Sequence, residues 1–272
     1  MMQYQVFPSQ NLHAEYVVLS SGLGGHGQFW TPQIEALQQH FHVVIYDQEG
    51  CHKNAAILDE NYTMTHLAKQ VVDLLAILNI HEFHFIGHAL GGFIGAELVV
   101  LLEKTEKTML SLTIINGWAH LDAHTEKCFK TRISLLQYAG VEAYVRAQAL
   151  FLYPPAWISA HISTLYLQEN QHIENFPPLL NVFTRLKALM NYELKAETIS
   201  SLNKIPLYLI ATEDDFLVPY QQSSQLQQVF PHAKLDVLAH GAHAVTVTQA
   251  ETFNALLLGK LLKKPVENLA AS

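Results

Sequence analysis

The sequence has few cysteines, no long basic segment and no long uncharged hydrophobic run, and each shortage excludes a class of protein. The two cysteines, Cys51 and Cys128, could form one disulfide bond at most, which argues against a disulfide-stabilised secreted domain and favours free thiols. The formal net charge is -8 at pH 7, and no cluster of basic residues is longer than Lys263-Lys264. A chain of this charge is not expected to bind nucleic acid.

The sequence predicts neither a membrane segment nor a secretory signal. The longest apolar stretch, residues 93–102, is interrupted by Glu97 and is too short to cross a bilayer, so we expect a buried helix there. Residues 1–8 contain neither the basic region nor the apolar run of a signal peptide. We therefore expect a cytoplasmic protein that has no membrane partner.

The chain has the size and hydrophobic content of one elaborated α/β domain, with 272 residues of which 50% are hydrophobic. Short apolar runs bounded by turn residues alternate with longer helical patterns, which is typical of βαβ units around a mainly parallel sheet. The predicted strands are residues 16–20, 42–46, 83–86, 112–115, 207–211 and 234–237, and the predicted helices between them are residues 32–39, 65–78, 91–102, 220–229 and 250–262.

The alternation stops between residues 117 and 204, where the patterns predict helices and no strands, the helices including residues 131–138, 141–150, 157–168 and 179–193. An all-helical insertion at the end of the sheet where ligands bind would form a cap over a site. We therefore predict a core of residues 1–116 and 205–272 and a helical cap of residues 117–204, all in one overall domain. A separate helical domain is the alternative, but the chain returns to a strand at Leu207.

The most informative motif is Gly87-His88-Ala89-Leu90-Gly91, which lies between a predicted strand and a predicted helix. It has the glycines of a G-x-S-x-G nucleophile elbow, the sharp turn that exposes a serine above the sheet of a hydrolase. Ala89 occupies the position of that serine, and its methyl group cannot attack a carbonyl. The motif therefore predicts a hydrolase fold whose site lacks the usual nucleophile.

A carboxylate and a histidine follow the elbow in the order that an α/β-hydrolase requires. Asp215 lies four residues before Pro219, a spacing common in this fold, and Asp214 is the second choice. His243 follows the last predicted strand. A carboxylate on one imidazole nitrogen fixes the tautomer and leaves the other nitrogen as a base near neutral pH. Taken alone, an acidic loop is usually a solvated turn, and one histidine among 16 is usually structural.

A glycine-rich segment, Ser20-Ser21-Gly22-Leu23-Gly24-Gly25, follows the first strand of the alternating pattern. Such a loop can direct backbone N–H groups at a developing oxyanion, and we predict the N–H groups of Leu23 and Leu90 as the two donors. A glycine cluster by itself is more often a flexible turn. Its position after a strand, with the elbow downstream, favours the functional interpretation.

The sequence predicts no metal and no cofactor, in spite of its 16 histidines. His120 and His124 have i,i+4 spacing and could share a helix face, but no H-E-x-x-H pattern accompanies them. His88 could pack at the elbow or donate a hydrogen bond near the pocket, and the sequence leaves both readings open. The expected partner is a small-molecule substrate, and a homodimer is compatible with the sequence.

Further motifs across nearly the whole chain carry a more specific resemblance. They are Gly22-Leu23-Gly24-Gly25, Phe29-Trp30, Tyr46-Asp47-Gln48, the elbow motif, Asn116-Gly117-Trp118, Cys128-Phe129 and Leu150-Phe151-Leu152-Tyr153-Pro154. With these motifs the chain resembles the RutD family of α/β-hydrolases, which is assigned to carbamate or aminoacrylate hydrolysis in the Rut pathway of pyrimidine utilisation. The resemblance implies an enzyme of uracil catabolism that releases ammonia, with Trp118 in its pocket and alanine as the natural elbow residue. One departure is Glu49, where hydrolases with an Asp-Gln-x-Gly turn usually carry arginine.

The missing serine excludes ordinary ester or amide hydrolysis, because its loss can cost roughly 10⁶-fold in turnover. Oxyanion donors and a binding pocket still supply roughly 10³ to 10⁴-fold over water, which is enough for a labile substrate. Neither carbamate nor aminoacrylate needs an acyl-enzyme. Our leading hypothesis is a hydrolase in which His243, held by Asp215, transfers protons or activates water over Ala89. The alternatives are a non-catalytic binding or scaffold protein on the same fold, and an esterase that uses Ser21.

Overall fold

A seven-stranded β-sheet forms the centre of the protein in the computed structural model, which describes residues 3–262. Its strands are β1 (Tyr4–Phe7), β2 (Tyr16–Ser20), β3 (His42–Tyr46), β4 (Glu82–His88), β5 (Thr108–Ile115), β6 (Leu207–Thr212) and β7 (Lys234–Leu238). They lie in the order β1-β3-β2-β4-β5-β6-β7. β1 is antiparallel to β3, and every other neighbouring pair is parallel. The predicted α/β fold with a mainly parallel sheet is confirmed.

The strand that the sequence pattern does not predict is β1. It lies at the edge of the sheet, where Tyr4 pairs with Tyr46, and most of its residues are exposed. A half-solvated edge strand has no continuous apolar run to reveal it, whereas a strand buried on both faces of a parallel sheet does. The six predicted strands are all present.

Helices surround the sheet and contribute about half of the elements along the chain. They are α1 (Thr31–Gln38), α2 (Met64–Ile77), α3 (Leu90–Leu102), α4 (Ala123–Ser134), α5 (Gly140–Leu152), α6 (Pro155–Glu174), α7 (Leu179–Met190), α8 (Ala196–Leu202), α9 (Gln221–Val229), α10 (Val245–Thr248) and α11 (Ala250–Leu261). None of the helices within residues 3–262 combines the length and apolar character of a membrane span.

Two hydrophobic layers cover the two faces of the sheet. Successive residues of a strand point to opposite faces, so Val17 and Leu19 pack in one layer and Val18 packs in the other. Phe253 of α11 belongs to the first layer, and Phe93 of α3 belongs to the second. The sheet is therefore buried on both faces, and its loops at the carboxyl ends of the parallel strands are left to form a site.

The chain between β5 and β6 contains helices α4 to α8 and no strand within the described residues. Helix α4 begins at Ala123, where the side chain of Asp122 caps it by accepting a hydrogen bond from the Thr125 N–H at 2.8 Å. The predicted helix at residues 131–138 therefore starts too late, and α8 has no counterpart among the predicted elements. The division into core and cap stays a prediction.

Candidate active site

The elbow has the backbone geometry of a nucleophile turn, with a methyl group at its tip. Ala89 connects β4 to α3 with φ 47° and ψ -111°, a conformation that L residues rarely adopt. A Cβ atom on Gly87 would lie 2.2 Å from the backbone carbon of Gly91, and one on Gly91 would lie 2.2 Å from the Ser20 oxygen. The turn thus requires both glycines, as the motif predicts, and Ala89 lines a cavity.

His243 and Asp215 form a buried hydrogen-bonded pair beside this cavity. The imidazole Nδ1 lies 2.7 Å from the Asp215 Oδ2 atom. The other carboxylate oxygen of Asp215 accepts the N–H groups of Leu217 and Val218 at 2.8 and 2.9 Å. The predicted pairing of His243 with Asp215 is therefore confirmed. Because the Asp215 carboxylate accepts this hydrogen bond, the Nδ1 atom of His243 carries the proton that is donated. The other ring nitrogen, Nε2, is left to exchange protons with a ligand.

Asp214 has a different task, on the loop that carries His243. Its carboxylate accepts the N–H of Gly241 at 3.1 Å and the N–H of Ala242 at 2.7 Å. Ala242 has a φ of 52°, so this turn is strained and needs such support. Asp214 thus holds the backbone next to His243 and does not contact the imidazole.

His88 and Asn116 fix the backbone of His243 itself. The His88 Nε2–H and the Asn116 amide both donate to the His243 carbonyl oxygen at 2.8 Å. Burial, together with the nearby charge of His243, lowers the pKa of His88 to about 3. His88 is therefore neutral at physiological pH. The sequence leaves open whether His88 packs at the elbow or donates a hydrogen bond, and in the structure it does both.

The two predicted oxyanion donors lie at the ends of neighbouring strands. Leu23 lies in the loop after β2 and lines the cavity. Leu90 is the first residue of α3, and the N–H groups in the first turn of a helix have no partner within the helix. The Leu90 side chain is fully buried, and its neighbour Ala89 forms the cavity wall instead. Their role as oxyanion donors stays a prediction.

The cavity has a volume of about 460 Å³ and lies between the elbow and helices α4 to α7. Its wall includes Trp118, which is buried and packs edge to face on Phe93 with ring centroids 4.6 Å apart. The indole Nε1 makes no hydrogen bond within the described residues. Ser21 also lies in the wall, but its hydroxyl contacts no base there, so nothing activates it as a nucleophile.

Sequence reasoning missed two arginines in the same wall, Arg132 of α4 and Arg185 of α7. Arg132 is buried, donates to Gln148 Oε1 at 2.5 Å, and leaves its Nε atom without a partner. Neither guanidinium forms an ion pair with a carboxylate within residues 3–262. The signal in the sequence was a basic residue at a core position of an amphipathic helix. A buried charge without a carboxylate partner is costly, and the rings of Phe129 and Tyr144, each 5.7 Å from the guanidinium carbon of Arg132, offset part of that cost.

Arg185 also explains the departure at Glu49. Its guanidinium donates to the backbone oxygens of Glu49 at 2.8 Å and Leu23 at 3.0 Å, and to Gln48 Oε1 at 2.5 Å. A cation therefore lies at this turn, supplied by α7 rather than by the turn itself. The Glu49 carboxylate points elsewhere and accepts the Tyr62 hydroxyl at 2.7 Å.

His120 and His124, the histidines with i,i+4 spacing, do not share a helix face. His120 precedes α4, which begins at Ala123, so the i,i+4 spacing has no helical meaning there. The Nε2 atom of His124 donates to the Phe216 carbonyl oxygen at 2.5 Å.

The parallel sheet, the elbow and the Asp–His pair together define an α/β-hydrolase. The sequence model of the alpha/beta hydrolase fold family matches residues 15–249. Two solved structures share the fold: an enol-lactonase from Burkholderia xenovorans, with a TM-score of 0.83, 21% identity and 96% of each chain covered, and a hydrolase from Pseudomonas aeruginosa, with a TM-score of 0.80, 22% identity and coverage of 96% and 94%. At these identities the likeness shows the fold alone.

Curated relatives give a narrower placement. A protein from Acinetobacter baylyi named "Putative carbamate hydrolase RutD" is 53% identical over 94% of this chain and 97% of its own length. A protein of the same name from Yersinia enterocolitica is 42% identical over 96% of this chain and 92% of its own length. The chain belongs to the RutD family of α/β-hydrolases.

Proposed function

We propose that the protein is a cytoplasmic hydrolase of pyrimidine catabolism that releases ammonia from carbamate or aminoacrylate without a serine nucleophile. The observation that carries this proposal is the buried Asp215–His243 pair beside an elbow that presents only the Ala89 methyl group. The name that the two relatives share supports carbamate as the substrate. A small anionic molecule is the proposed partner, and self-association remains a separate expectation.

His243 supplies the proton transfers that both substrates need. Carbamate takes up a proton on nitrogen, its C–N bond breaks, and ammonia and carbon dioxide leave. Aminoacrylate takes up a proton on the carbon beside its carboxylate to give an iminium, and water adds to the carbon that is bonded to nitrogen. After a proton has moved from the added water to nitrogen, the C–N bond breaks and ammonia leaves with an aldehyde acid as the other product. Imidazolium donates the first proton in both reactions; the neutral imidazole then accepts a proton from the attacking water with aminoacrylate, and takes one up from the solvent with carbamate. Asp215 stabilises the charged form at each turnover.

The alanine at the elbow is consistent with this chemistry. Neither reaction passes through an acyl-enzyme, so no atom at position 89 has to form a bond. The methyl group leaves room for a water molecule at the place where a serine hydroxyl would stand. The oxyanion donors and the binding pocket would supply roughly 10³ to 10⁴-fold acceleration even without a nucleophile, which is adequate for substrates that also decompose unaided.

The two buried arginines favour an anion as the substrate. Carbamate and aminoacrylate each carry one carboxylate-type group, which can accept charge-assisted hydrogen bonds from a guanidinium. Arg132 lies in the cavity wall and makes hydrogen bonds through Nη2 alone within residues 3–262, whereas the three hydrogen bonds of Arg185 use both of its terminal nitrogens. Arg132 is therefore the proposed carboxylate-binding residue. The cavity is larger than either substrate, so water molecules would share it.

The test is the rate of ammonia release from carbamate and from aminoacrylate generated in the assay, with and without protein. Wild type should accelerate at least one of the two reactions, and the reaction that it accelerates more identifies the substrate. His240→Ala is the matched control, since His240 lies on the same loop and is exposed. If wild type and buffer give equal rates with both substrates, the hydrolase proposal fails and a binding or scaffold role on this fold becomes the better account.

A further inference from the structure

We propose that His26, Asp47, Cys51 and His52 form a zinc site at the rim of the cavity. One ligand atom from each residue lies within 4.8 Å of the ligand atoms of the other three. His26 and Cys51 also line the cavity. This rim cluster is separate from the Asp215–His243 pair, and the proposal does not depend on the identity of the substrate.

The topology of the sheet brings the rim cluster together from two loops. His26 lies in the loop after β2, and the other three residues lie in the loop after β3. β2 and β3 are parallel neighbours, so the loops at their carboxyl ends meet. Gly25 and Gly50, with φ of 84° and 82°, make the turns that place His26 and Cys51.

Three of the distances within the cluster are close to those of a tetrahedral zinc site, and all of its ligand atoms lie within 4.8 Å of one another. Zinc binds nitrogen and oxygen at about 2.0 to 2.2 Å and sulfur at about 2.3 Å, so its ligand atoms lie roughly 3.3 to 3.7 Å apart. Asp47 Oδ2 lies 3.1 Å from His52 Nε2 and 3.9 Å from His26 Nδ1. The Cys51 sulfur lies 3.8 Å from His26 Nδ1. Movements of a few tenths of an ångström in these three contacts would suffice.

A ring nitrogen of His52 that makes no hydrogen bond supports a cation site in the rim cluster. The His52 Nε2 atom is buried, and although Asp47 Oδ2 is 3.1 Å away, the two groups are not aligned for a hydrogen bond. The ring of His26 has a hydrogen-bond partner in Cys51, but no hydrogen bond explains why the buried His52 Nε2 atom faces a carboxylate. An imidazole nitrogen and a carboxylate oxygen that face each other without an aligned hydrogen bond are well placed to bind one cation between them.

The neighbouring backbone orients the carboxylate for this task. The Oδ1 atom of Asp47 accepts the Gly27 N–H at 2.6 Å, which leaves Oδ2 to face the histidines. Hydrogen bonds of this kind orient the ligands of metal sites.

The donor set selects zinc over harder cations and indicates a structural site. Two imidazoles, one thiolate and one carboxylate suit zinc, whereas magnesium and calcium prefer oxygen ligands throughout. Four protein ligands close a tetrahedral site and leave no open position for catalysis. The ion would tie the loop that holds Leu23 to the loop after β3, and so stabilise one side of the cavity.

Cobalt provides a direct spectroscopic test, because thiolate-bound tetrahedral Co²⁺ absorbs strongly in the near ultraviolet and the visible. Chelator-treated full-length protein should bind one equivalent of Co²⁺ with both absorptions. Cys51→Ser should lose the thiolate absorption, and Cys128→Ser, the matched control at the other free cysteine, should keep it. Zn²⁺ should displace Co²⁺ and raise the Tm of wild type and of Cys128→Ser.

The proposal is overturned if wild type binds no stoichiometric Co²⁺, or if the thiolate absorption survives in Cys51→Ser. A loss of that absorption in Cys128→Ser would equally move the site elsewhere. If Cys51→Ser fails to fold, His52→Gln provides a second variant on a partly exposed side chain. It should weaken Zn²⁺ affinity by at least about tenfold, and unchanged affinity would contradict the assignment.

Discussion

His243 is held at three points, and this explains how a site without a nucleophile keeps its base in position. Asp215 binds the ring at Nδ1, while His88 and Asn116 bind the carbonyl oxygen. All four residues are polar and buried, which costs free energy unless every hydrogen bond among them is made. Such a network is consistent with selection for the position of one imidazole.

The two neighbouring aspartates should respond differently to the same substitution. Asp215→Asn removes the acceptor that fixes the tautomer of His243, so it should reduce the accelerated rate by roughly 10² to 10⁴-fold. Asp214→Asn keeps one acceptor oxygen for the loop, so it should be mild in rate and cost about 1 kcal/mol of stability. Rates of ammonia release and urea unfolding check both variants. An equal loss of rate in the two would contradict the assignment.

Arg132→Met should separate substrate binding from stability. Loss of a charge-assisted hydrogen bond, worth about 1.5 to 3 kcal/mol, should raise KM for the anionic substrate roughly 10- to 150-fold. The free energy of unfolding should change little, because loss of the hydrogen bond to Gln148 Oε1 offsets the removal of a buried charge that has no carboxylate partner. Arg146→Met, at an exposed ion pair, is the control and should leave KM unchanged. An unaltered KM in Arg132→Met would remove Arg132 from the site.

His88 should give the protein a defined loss of stability in mild acid. The pKa of His88 is about 3 in the folded state, against about 6.5 for an unfolded histidine, so below about pH 6.5 the unfolded chain binds the proton and the folded chain does not. Stability from this residue is complete above about pH 6.5 and falls by up to about 1.4 kcal/mol per unit as the pH drops. His88→Gln keeps a donor without the titration. Urea unfolding at about pH 7.5 and about pH 5.5 should show a weaker pH dependence for the variant, and an equal dependence would refute this role.

At the scale of elements, α7 joins two active-site loops through one side chain. Arg185 binds the loop after β2 at Leu23 and the loop after β3 at Gln48 and Glu49. The planar guanidinium reaches three acceptors at once, which an ammonium cannot do in the same geometry. A helix between β5 and β6 therefore sets the position of a candidate oxyanion donor.

Arg185→Lys should destabilise the protein although it conserves the charge. At least one buried acceptor would lose its donor, at about 1 to 3 kcal/mol. Lys187→Arg, the reverse exchange at an exposed position of α7, should have little effect. Urea unfolding measures both, and hydrogen exchange at the Gln48 amide, which donates to the Gly25 oxygen of the other loop, should be faster in Arg185→Lys alone. Equal stability of the two variants would show that α7 does not clamp the loops.

The elements themselves were predicted unequally from the sequence, for physical reasons. The parallel strands are buried on both faces and leave apolar runs that are easy to recognise, whereas the exposed edge strand β1 does not. The start of α4 was missed because its first turns are polar and partly exposed, so they lack an apolar period. A cap residue, Asp122, was the available signal.

At the scale of the whole molecule, the fold and the Asp–His pair follow from motifs in fixed order, but the cavity wall does not. The elbow, Asp215 and His243 each follow a strand, so order along the chain was enough to place them. Arg132 and Arg185 come from helices whose packing over the sheet is a property of the tertiary fold, and a pattern along the chain does not reveal it. Although the net charge of the chain is -8, the guanidinium groups of Arg132 and Arg185 are buried in the wall of the active-site cavity.

The measurement that tests the central claim most directly is the rate of ammonia release by His243→Ala relative to wild type, on whichever substrate wild type accelerates. General acid–base catalysis contributes roughly 10² to 10⁴-fold, so the variant should lose a factor of that size while His240→Ala retains the wild-type rate. A His243→Ala protein that is folded and still accelerates the reaction as wild type does would contradict the account, because it would show that the Asp215–His243 pair is not the catalytic group.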